Sequence, residues 1–222
     1  MLSNSAITVI ILNFMTLQNQ HSERGNNLGK VILRASTAAI LAIFLIFSTG
    51  EVSAQGAPVK LKVVKVSYDG SLAPQGGNTY GPSNMLDGNI ATAWAVNLDS
   101  AIYDCDALYG PYFEVPCKKL SHIIIRNGYA KSASAYINNA RASYIYFEVE
   151  TNDGSEDMGC YGEGFGVNLK DTPDPQRLNA PLNESWNNNI KTIQMVFPYG
   201  NFIKGAKWND LCITEIEFWG WR

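Results

Sequence analysis

Residues 213–219, Ile-Thr-Glu-Ile-Glu-Phe-Trp, form the stretch of sequence that decides the fold class. Ile216 and Phe218 are apolar, and the charged residues Glu215 and Glu217 alternate with them. Successive side chains of a β-strand point to opposite faces of its sheet. The stretch therefore predicts an antiparallel strand with one face in a core and the other face in water.

Four other runs along the chain are rich in β-branched and aromatic residues, which favour strands. They are residues 60–66 (KLKVVKV), 120–126 (LSHIIIR), 142–150 (ASYIYFEVE) and 190–197 (IKTIQMVF). Turn formers such as Asp87-Gly88 and Asn127-Gly128 separate the runs. Many strands without crossover helices predict an all-β sandwich.

Two further segments receive a local prediction. A single helical turn is expected at residues 83–86, with Ser83 as its N-cap. The stretch 172–189 is rich in Asn and Pro and is expected to be a long surface loop, and residues 161–166 are expected to form a flexible hairpin.

The N-terminal segment has the pattern of a secretory signal. Lys30 and Arg34 precede the apolar block at residues 38–47, and small residues lead to Ala54. Cleavage after Ala54 is expected, which divides the chain into an N-terminal extension with signal peptide (1–54) and one domain (55–222). The alternative is an uncleaved membrane anchor, although the block is shorter than a spanning helix needs. The mature domain is therefore expected to be secreted, periplasmic or on the cell surface.

Overall charge excludes one class of partner. The 222 residues carry a formal net charge of -3, with 17% charged residues. Proteins that bind nucleic acid show a basic face, and this composition does not predict one. No nucleic-acid partner is expected, and a membrane is expected to be contacted only through the N-terminal segment if that remains uncleaved.

All four cysteines lie beyond the expected cleavage site: Cys105, Cys117, Cys160 and Cys212. An even number in an exported domain indicates two disulfides, with three possible pairings. The pairing Cys105–Cys117, which closes a short local loop, together with Cys160–Cys212 is favoured. Zinc ligation is the alternative, but the sequence has no C-x-x-C spacing.

Several motifs resemble a known family. They are residues 80–94 (YGPSNMLDGNIATAW), 127–132 (NGYAKS) and 205–216 (GAKWNDLCITEI). Together they resemble discoidin domains, also called coagulation factor 5/8 type C domains, in the variant found in the translocation module of secreted NAD glycohydrolases. The resemblance covers about residues 60–220. It implies a galactose-binding-like jelly-roll β-sandwich with ligand-binding loops at one end, in a family whose members bind glycans, lipid head groups or proteins.

The resemblance also implies a structural calcium ion as the only cofactor. Discoidin-like sugar binders hold calcium with an Asp-Gly turn, a nearby Thr and a Glu on the last strand. The matching residues here are Asp87, Asn89, Thr92 and Glu215, whose oxygen atoms suit a hard cation. The alternative is an Asp that caps a turn, a Thr at the core edge and a solvated Glu.

Loop aromatics are candidates for stacking on sugar rings. Tyr80, Tyr109 and Trp186 are flanked by turn residues and are expected to lie on the surface. The alternative for each is packing in the core, since aromatic side chains supply large buried areas.

A polar set is implied by the resemblance as a second group of ligand contacts. It consists of Asn127, Tyr129, Lys131, Asn139 and Arg141. Tyr129, Lys131 and Arg141 are the candidates to bind a hydroxyl-rich or anionic ligand. In the alternative, these groups satisfy backbone atoms, and Arg141 pairs with a carboxylate such as Asp210.

Signals of catalysis are weak. His122 is the single histidine after residue 54, which leaves little for a Ser/His or Cys/His nucleophile. Glu215 and Glu217 share a strand face at a spacing like that of a glycosidase pair, but are expected to face solvent. The expected function is an exported, non-catalytic module that binds a glycan or another cell-surface ligand. The alternative is a structural or protein-interaction domain that acts with a separately encoded enzyme or toxin; a hydrolase is the third reading.

Overall fold

The computed structural model describes residues 56–152 and 162–222. The expected signal peptide and N-terminal extension lie outside the described residues, so predictions about them stay predictions. Cys160 also lies outside the described residues. Within the described part, no helix has the length and apolar character needed to cross a membrane.

Strands are the main regular elements of the described chain. In chain order they are β1 (Val59–Lys60), β2 (Lys65–Ser67), β3 (Trp94–Asn97), β4 (Ala107–Cys117), β5 (Lys119–Asn127), β6 (Arg141–Ala142), β7 (Tyr144–Thr151), β8 (Gly164–Asn168), β9 (Gln176–Asn179), β10 (Ile190–Pro198), β11 (Phe202–Ile203) and β12 (Asp210–Trp221). A 3-10 turn at Pro82–Leu86 and the short helix α1 (Ala133–Asn138) complete the described elements.

The strands form two five-stranded antiparallel sheets, which confirms the predicted all-β sandwich. The first has the order β1-β12-β5-β9, and β3 also pairs with β12. The second has the order β2-β4-β10-β7-β8, and β11 pairs separately with β6. One hydrophobic core contains side chains from both sheets, among them the fully buried Trp94, Phe113, Phe147, Phe197 and Phe218.

The alternating stretch at residues 213–219 lies in β12, which pairs with β1, β3 and β5. Ile216 and Phe218 are buried, whereas Glu215 and Glu217 are partly exposed. The predicted two-faced strand is confirmed. Because β12 touches three other strands, it positions most of the first sheet.

The runs at 120–126, 142–150 and 190–197 correspond to β5, β7 and β10. The run at 60–66 instead supplies two short strands, β1 and β2, which belong to different sheets. The expected loop 172–189 contains β9, and part of the expected hairpin 161–166 belongs to β8. β9 is a four-residue edge strand, so its own residues show too little alternation to be recognised.

Strand β4 was not predicted, because prolines and a glycine interrupt its sequence. Its pairing with β10 shifts register between residues 109 and 112 and again between 114 and 117. Pro111 and Pro116 lie at these two irregularities. A bulge removes the demand for a regular hydrogen bond, so proline is tolerated there.

The helical turn predicted at residues 83–86 is present as the 3-10 turn Pro82–Leu86. Its N-cap is Gly81, without a side-chain cap, and not Ser83. Pro82 occupies the first turn, where its missing N–H costs nothing, so the N-cap lies two residues earlier than expected.

The predicted disulfides are not formed by the described cysteines, since Cys117 and Cys212 carry free thiols. Strand β4 runs from Ala107 to Cys117 and separates Cys105 from Cys117 by its 11 residues. An extended strand of that length spans roughly 30 Å, whereas bridged cysteines need Cα atoms about 4.4–6.8 Å apart. The short sequence spacing wrongly suggested a closed loop.

Trp186 was expected on the surface, and this expectation is wrong. Its exposed fraction is only 6%, and its ring stacks on Phe165 with centroids 5.6 Å apart. Next to it, Asn187 donates to the backbone carbonyls of Leu120 and Pro181 and accepts from the N–H of Leu120. These hydrogen bonds connect the 180–189 loop to β5, and the indole of Trp186 packs in the core.

Candidate functional site

A half-open pocket of about 560 Å³ lies where the loop before the 3-10 turn meets β3, the α1 segment and the start of β12. This volume falls within the usual range of small-ligand sites. The residues that line it are Leu72, Gln75, Asn78, Tyr80, Ala95, Asn97, Tyr129, Lys131, Ser132, Ser134, Ala135, Asn139, Trp208, Asp210 and Cys212. We call it the β3–β12 pocket.

Backbone and amide hydrogen bonds hold the loop side of the pocket. The side chain of Asn84, which is buried, donates to the carbonyls of Thr79 and Ala93 at 2.7 and 3.0 Å. The N–H of Ala95 donates to the carbonyl of Tyr80 at 3.2 Å. Tyr80 is therefore placed by its own main chain, and its ring is partly exposed in the pocket.

Tyr129 forms part of the pocket floor. It follows Gly128, whose positive φ of 78° suits glycine, and its hydroxyl donates to the carbonyl of Ala91 at 2.9 Å. Its exposed fraction is 7%. Tyr129 thus offers a ring surface to the pocket while its hydroxyl is already engaged.

Arg141 lies outside the pocket and stabilises the α1 segment through hydrogen bonds. Its guanidinium donates to the carbonyls of Tyr136 and Asn139 at 3.1 and 2.9 Å and pairs with Asp171 at 2.8 Å. The suggested partner Asp210 is wrong, because Asp171 occupies that role. Arg141 is 6% exposed and outside the pocket lining, so its position supports an indirect effect on a ligand rather than contact.

Polar groups with unused hydrogen-bonding capacity surround the pocket. The ammonium of Lys131 lies 3.5 Å from the side-chain oxygen of Asn78. Asn97 donates to one carboxylate oxygen of Asp210 at 2.8 Å. A cation, a carboxylate, amides and the hydroxyls of Ser132 and Ser134 can together bind a ligand that both donates and accepts hydrogen bonds.

Two aromatic side chains remain accessible at the pocket. Trp208 is 45% exposed, and the ammonium of Lys207 lies 4.7 Å from the centre of its ring. Burial, with Cys212 and Asp210 nearby, raises the pKa of Tyr80. The phenol of Tyr80 therefore stays protonated at neutral pH and available as a donor.

The structure brings together only part of the predicted ligand-binding set. Tyr80, Tyr129 and Lys131 line the β3–β12 pocket. Tyr109 lies in β4 of the second sheet and does not line this pocket, and neither does Trp186. Trp208, Asn97 and Asp210 were not among the ligand contacts predicted from the sequence, although Trp208 and Asp210 lie within the motif at residues 205–216.

The residues expected to bind calcium form a second, adjacent arrangement at the Asp-Gly turn. One oxygen of Asp87 accepts from the N–H of Asn89 and the other from the hydroxyl of Thr92, both at 2.8 Å. Glu215 faces this turn from β12 and lines a shallow pocket of about 320 Å³ together with Asp87 and Glu217. The four predicted residues therefore lie close together.

Glu215 has an unusual environment. Burial and the neighbouring charge of Asp87 raise its pKa to about 7, although the backbone N–H groups of Gly88 and Asn89 act in the opposite direction. Its buried Oε1 has no hydrogen-bond partner. A buried carboxylate oxygen that repels a second carboxylate is the arrangement a cation relieves.

These residues fit a calcium ion in the chemistry of their donors. Asp87 and Glu215 supply carboxylates, Thr92 a hydroxyl and Asn89 a carbonyl oxygen, all hard ligands. Within the described ranges, no cluster of three or more His, Cys, Asp and Glu residues forms a metal site. A calcium site here accordingly needs backbone or amide oxygens beside the two carboxylates.

The remaining catalytic candidates have structural neighbours. His122 stacks on Trp219 with centroids 5.6 Å apart, and Glu217 accepts from Lys60 and from the indole of Trp219 at 2.8 and 2.9 Å. Glu215 and Glu217 are partly exposed and line one pocket, but Glu217 is already engaged as an acceptor. None of these three residues lines the β3–β12 pocket.

Three bacterial modules are among the solved structures to which the chain is similar. The F5/8 type C domain of a Bacteroides fragilis protein is 14% identical, with 75% of this chain and 99% of that chain covered and a TM-score of 0.49. A CBM32 module from Clostridium perfringens in complex with GalNAc-β-1,3-galactose is 13% identical, with 69% and 93% covered and a TM-score of 0.42. The family 32 carbohydrate-binding module from Streptococcus pneumoniae EndoD is 10% identical, with 72% and 98% covered and a TM-score of 0.40.

No curated protein sequence matches the chain significantly. The profile of the family described as the NAD glycohydrolase translocation F5/8 type C domain matches residues 59–219. That match spans β1 to β12, including both the β3–β12 pocket and the Asp-Gly turn. The chain therefore belongs to the NAD glycohydrolase translocation F5/8 type C domain family.

Proposed function

We propose that this chain is a non-catalytic recognition module that binds a glycan in the β3–β12 pocket. The observation that carries the proposal is the combination of accessible aromatic rings with a varied polar lining in one pocket of about 560 Å³. Sugars present apolar C–H faces and a rim of hydroxyl groups. Tyr80 and Trp208 suit the faces, while Lys131 and Asp210 suit the hydroxyls.

The polar lining favours a hydroxyl-rich ligand over a purely apolar one. Asp210 accepts from Asn97 through one oxygen, which leaves its second oxygen for a ligand hydroxyl. Lys131 donates a long bond of 3.5 Å to Asn78 and has further protons to donate. A hydroxyl group both donates and accepts, so it satisfies both kinds of partner.

Binding to a glycan array, followed by calorimetry with each bound sugar, tests this proposal. Tyr80→Ala and Trp208→Ala are each expected to weaken binding about tenfold or more, because each removes an aromatic contact surface. Tyr199→Ala is the matched control, since Tyr199 is an exposed aromatic outside the pocket lining. Absence of glycan binding, or loss of binding only in the control, contradicts the proposal.

The absence of catalysis is part of the same proposal. The β3–β12 pocket has no histidine in its lining, and its thiol, Cys212, is buried with a raised pKa. A thiol that stays protonated is a poor nucleophile. Incubation of the protein with each bound glycan is expected to leave the glycan intact by mass spectrometry, and release of a product would overturn this part of the proposal.

We further propose that Asp87, Asn89, Thr92 and Glu215 hold a calcium ion with a structural role. The ion would join the Asp-Gly turn to β12 and satisfy the unpartnered oxygen of Glu215. Calcium is expected to raise the melting temperature of the parent and not that of Glu215→Gln, relative to protein treated with chelator. An equal shift in both proteins would contradict this assignment, and Glu184→Gln, at an exposed loop residue, is the control.

Export is proposed from the N-terminal pattern. The charged residues Lys30 and Arg34 before an apolar block support a signal peptide, and the small residues near Ala54 support its cleavage. N-terminal sequencing of the protein recovered from the producing cell tests it. A mature chain that starts at Gln55 is expected, and an unprocessed chain in the cytosol would contradict export.

A further inference from the structure

A second surface lies at the tip of two loops and is separate from the pocket lining. It consists of the loop 98–106 and the turn 198–201, and we call it the Ile102–Tyr199 ridge. Ile102 is 87% exposed and Tyr199 is 70% exposed, the two highest values among large hydrophobic side chains in the described residues. Ile102 directly precedes Tyr103, whose ring contacts that of Tyr199. Exposed apolar side chains grouped in this way are typical of an interaction surface.

The ridge is held in a defined conformation. The backbone of Asp104 exchanges two hydrogen bonds with the backbone of Ala107, at 2.9 and 2.8 Å, and the backbone N–H of Tyr199 donates to the carbonyl of Asp106 at 2.7 Å. The ring of Tyr103 meets that of Tyr199 edge-on, with centroids 5.4 Å apart. A surface that is already ordered loses less entropy when a partner binds.

Maintaining this conformation requires unfavourable backbone angles. Cys105 and Asp106 have φ values of 47° and 58°, in the left-handed region that residues other than glycine seldom adopt. Two such residues in succession make a tight turn that brings Asp106 next to Tyr199. The sequence places no glycine at either position, so the turn carries side chains at its tip.

The charges of the ridge are all acidic. Asp99, Asp104 and Asp106 are exposed, and none of them belongs to an ion pair found within residues 56–152 and 162–222. Asp99 accepts only from the amide of Asn209 at 2.8 Å. Exposed apolar side chains therefore stand beside unneutralised carboxylates.

We propose that the Ile102–Tyr199 ridge docks a protein partner, through a segment of that partner in which Lys or Arg residues flank aliphatic or aromatic ones. The apolar side chains supply buried area, and the carboxylates select the basic flanks by charge complementarity. A lipid bilayer fits less well, because membrane surfaces are neutral or negative and carboxylates are costly to bring against them. This role is independent of glycan binding in the β3–β12 pocket.

The test is a selection of random phage-displayed peptides that bind the full chain. The selection is carried out under reducing conditions. Enriched peptides are expected to combine basic with apolar residues and to bind less tightly as salt rises. Ile102→Ser and Tyr199→Ser are each expected to weaken a selected synthetic peptide about tenfold or more. The double variant Asp104→Asn/Asp106→Asn is expected to weaken it and to reduce its salt dependence.

Ile137→Ser and Leu182→Ser are the matched controls, because both residues are exposed apolar side chains elsewhere, at 57% and 44%. They are expected to leave peptide binding unchanged, and Tyr80→Ala is expected to do the same. Peptides without basic residues, or binding that survives both ridge variants, would overturn the proposal. Ridge-dependent binding to phosphatidylcholine vesicles, or ridge-dependent self-association in sedimentation, would also overturn it.

Discussion

Glu215 and Glu217 show how neighbours, rather than residue type, decide the chemistry of a side chain. Both point to the same side of β12, as the sequence pattern predicts. Glu217 receives hydrogen bonds from Lys60 and Trp219, while Glu215 faces Asp87 and keeps a buried oxygen without a partner. Lys60 and Asp87 lie far away in sequence, so alternation alone could not distinguish the two carboxylates.

The raised pKa of Glu215 makes stability depend on pH in the metal-free protein. Between the ordinary value of 4.5 and the folded value of about 7, the folded chain holds a proton that the unfolded chain has released. The free energy of unfolding attributable to Glu215 therefore falls as pH rises through this window. Glu215→Gln is expected to make the free energy of unfolding less dependent on pH in this window. At pH 8 the variant is expected to be more stable than the parent by about 1 kcal/mol, after allowance for solvent screening.

Urea unfolding at a series of pH values in chelator measures this effect. Glu184→Gln is the control, because Glu184 is exposed on the 180–189 loop. It is expected to follow the profile of the parent. A Glu215→Gln profile parallel to that of the parent would show that the carboxyl is not perturbed in the way described.

Arg141 is a second case in which the residue was found but its role was not. The sequence singled it out as a ligand contact, whereas its guanidinium is bonded to the carbonyls of Tyr136 and Asn139 and to Asp171. Asp171 lies 30 residues further along the chain, so a local sequence pattern could not predict this pairing. Its effect on the β3–β12 pocket is therefore expected to pass through α1.

At the scale of elements, long alternating strands were predictable and short or interrupted ones were not. β5, β7, β10 and β12 have enough consecutive residues for their pattern to stand out. β4 is broken by prolines at register shifts, and β9 is a short edge strand that pairs with β5. The pairing partner, which is remote in sequence, stabilises such elements.

Two loop tryptophans with similar turn-rich surroundings have opposite positions. Trp186 stacks on Phe165 in the core, whereas Trp208 is 45% exposed beside the pocket. Trp186→Ala is expected to lower the free energy of unfolding by about 3–5 kcal/mol, because it opens a cavity in the core. Trp208→Ala is expected to cost about 1 kcal/mol or less.

Chemical denaturation of the two variants under identical conditions makes this comparison. The same two proteins, titrated with any glycan that binds, are expected to reverse their order, since only Trp208 lines the pocket. Similar losses of stability in both variants would mean that the 180–189 loop is not anchored in the core.

At the scale of the whole molecule, the two buried cysteines of the described residues, Cys117 and Cys212, pack in the interior as thiols. Burial raises the pKa of the Cys117 thiol to about 12, although the N–H of Lys119 acts in the opposite direction, and burial beside Asp210 raises that of Cys212. Both are buried and free in the structure. Their role is to fill space in the core, as small apolar side chains do.

Alkylation by iodoacetamide tests this conclusion. Cys117 and Cys212 are expected to stay unmodified in the native protein and to react fully in urea without prior reduction, as read from the masses of their peptides. Peptides of Cys117 or Cys212 that become alkylable only after reduction would show that a disulfide exists.

The sequence by itself determined the all-β class, the family resemblance and the position of β12, because alternation and local motifs are properties of neighbouring residues. It also named Tyr80, Tyr129 and Lys131 as ligand contacts, in two separate groups. Only the tertiary structure decided that Trp208 and Asp210 complete that pocket and that Trp186 and Arg141 lie outside it. Burial and pairing depend on contacts between residues far apart in the chain, and these exist only once the two sheets have packed together.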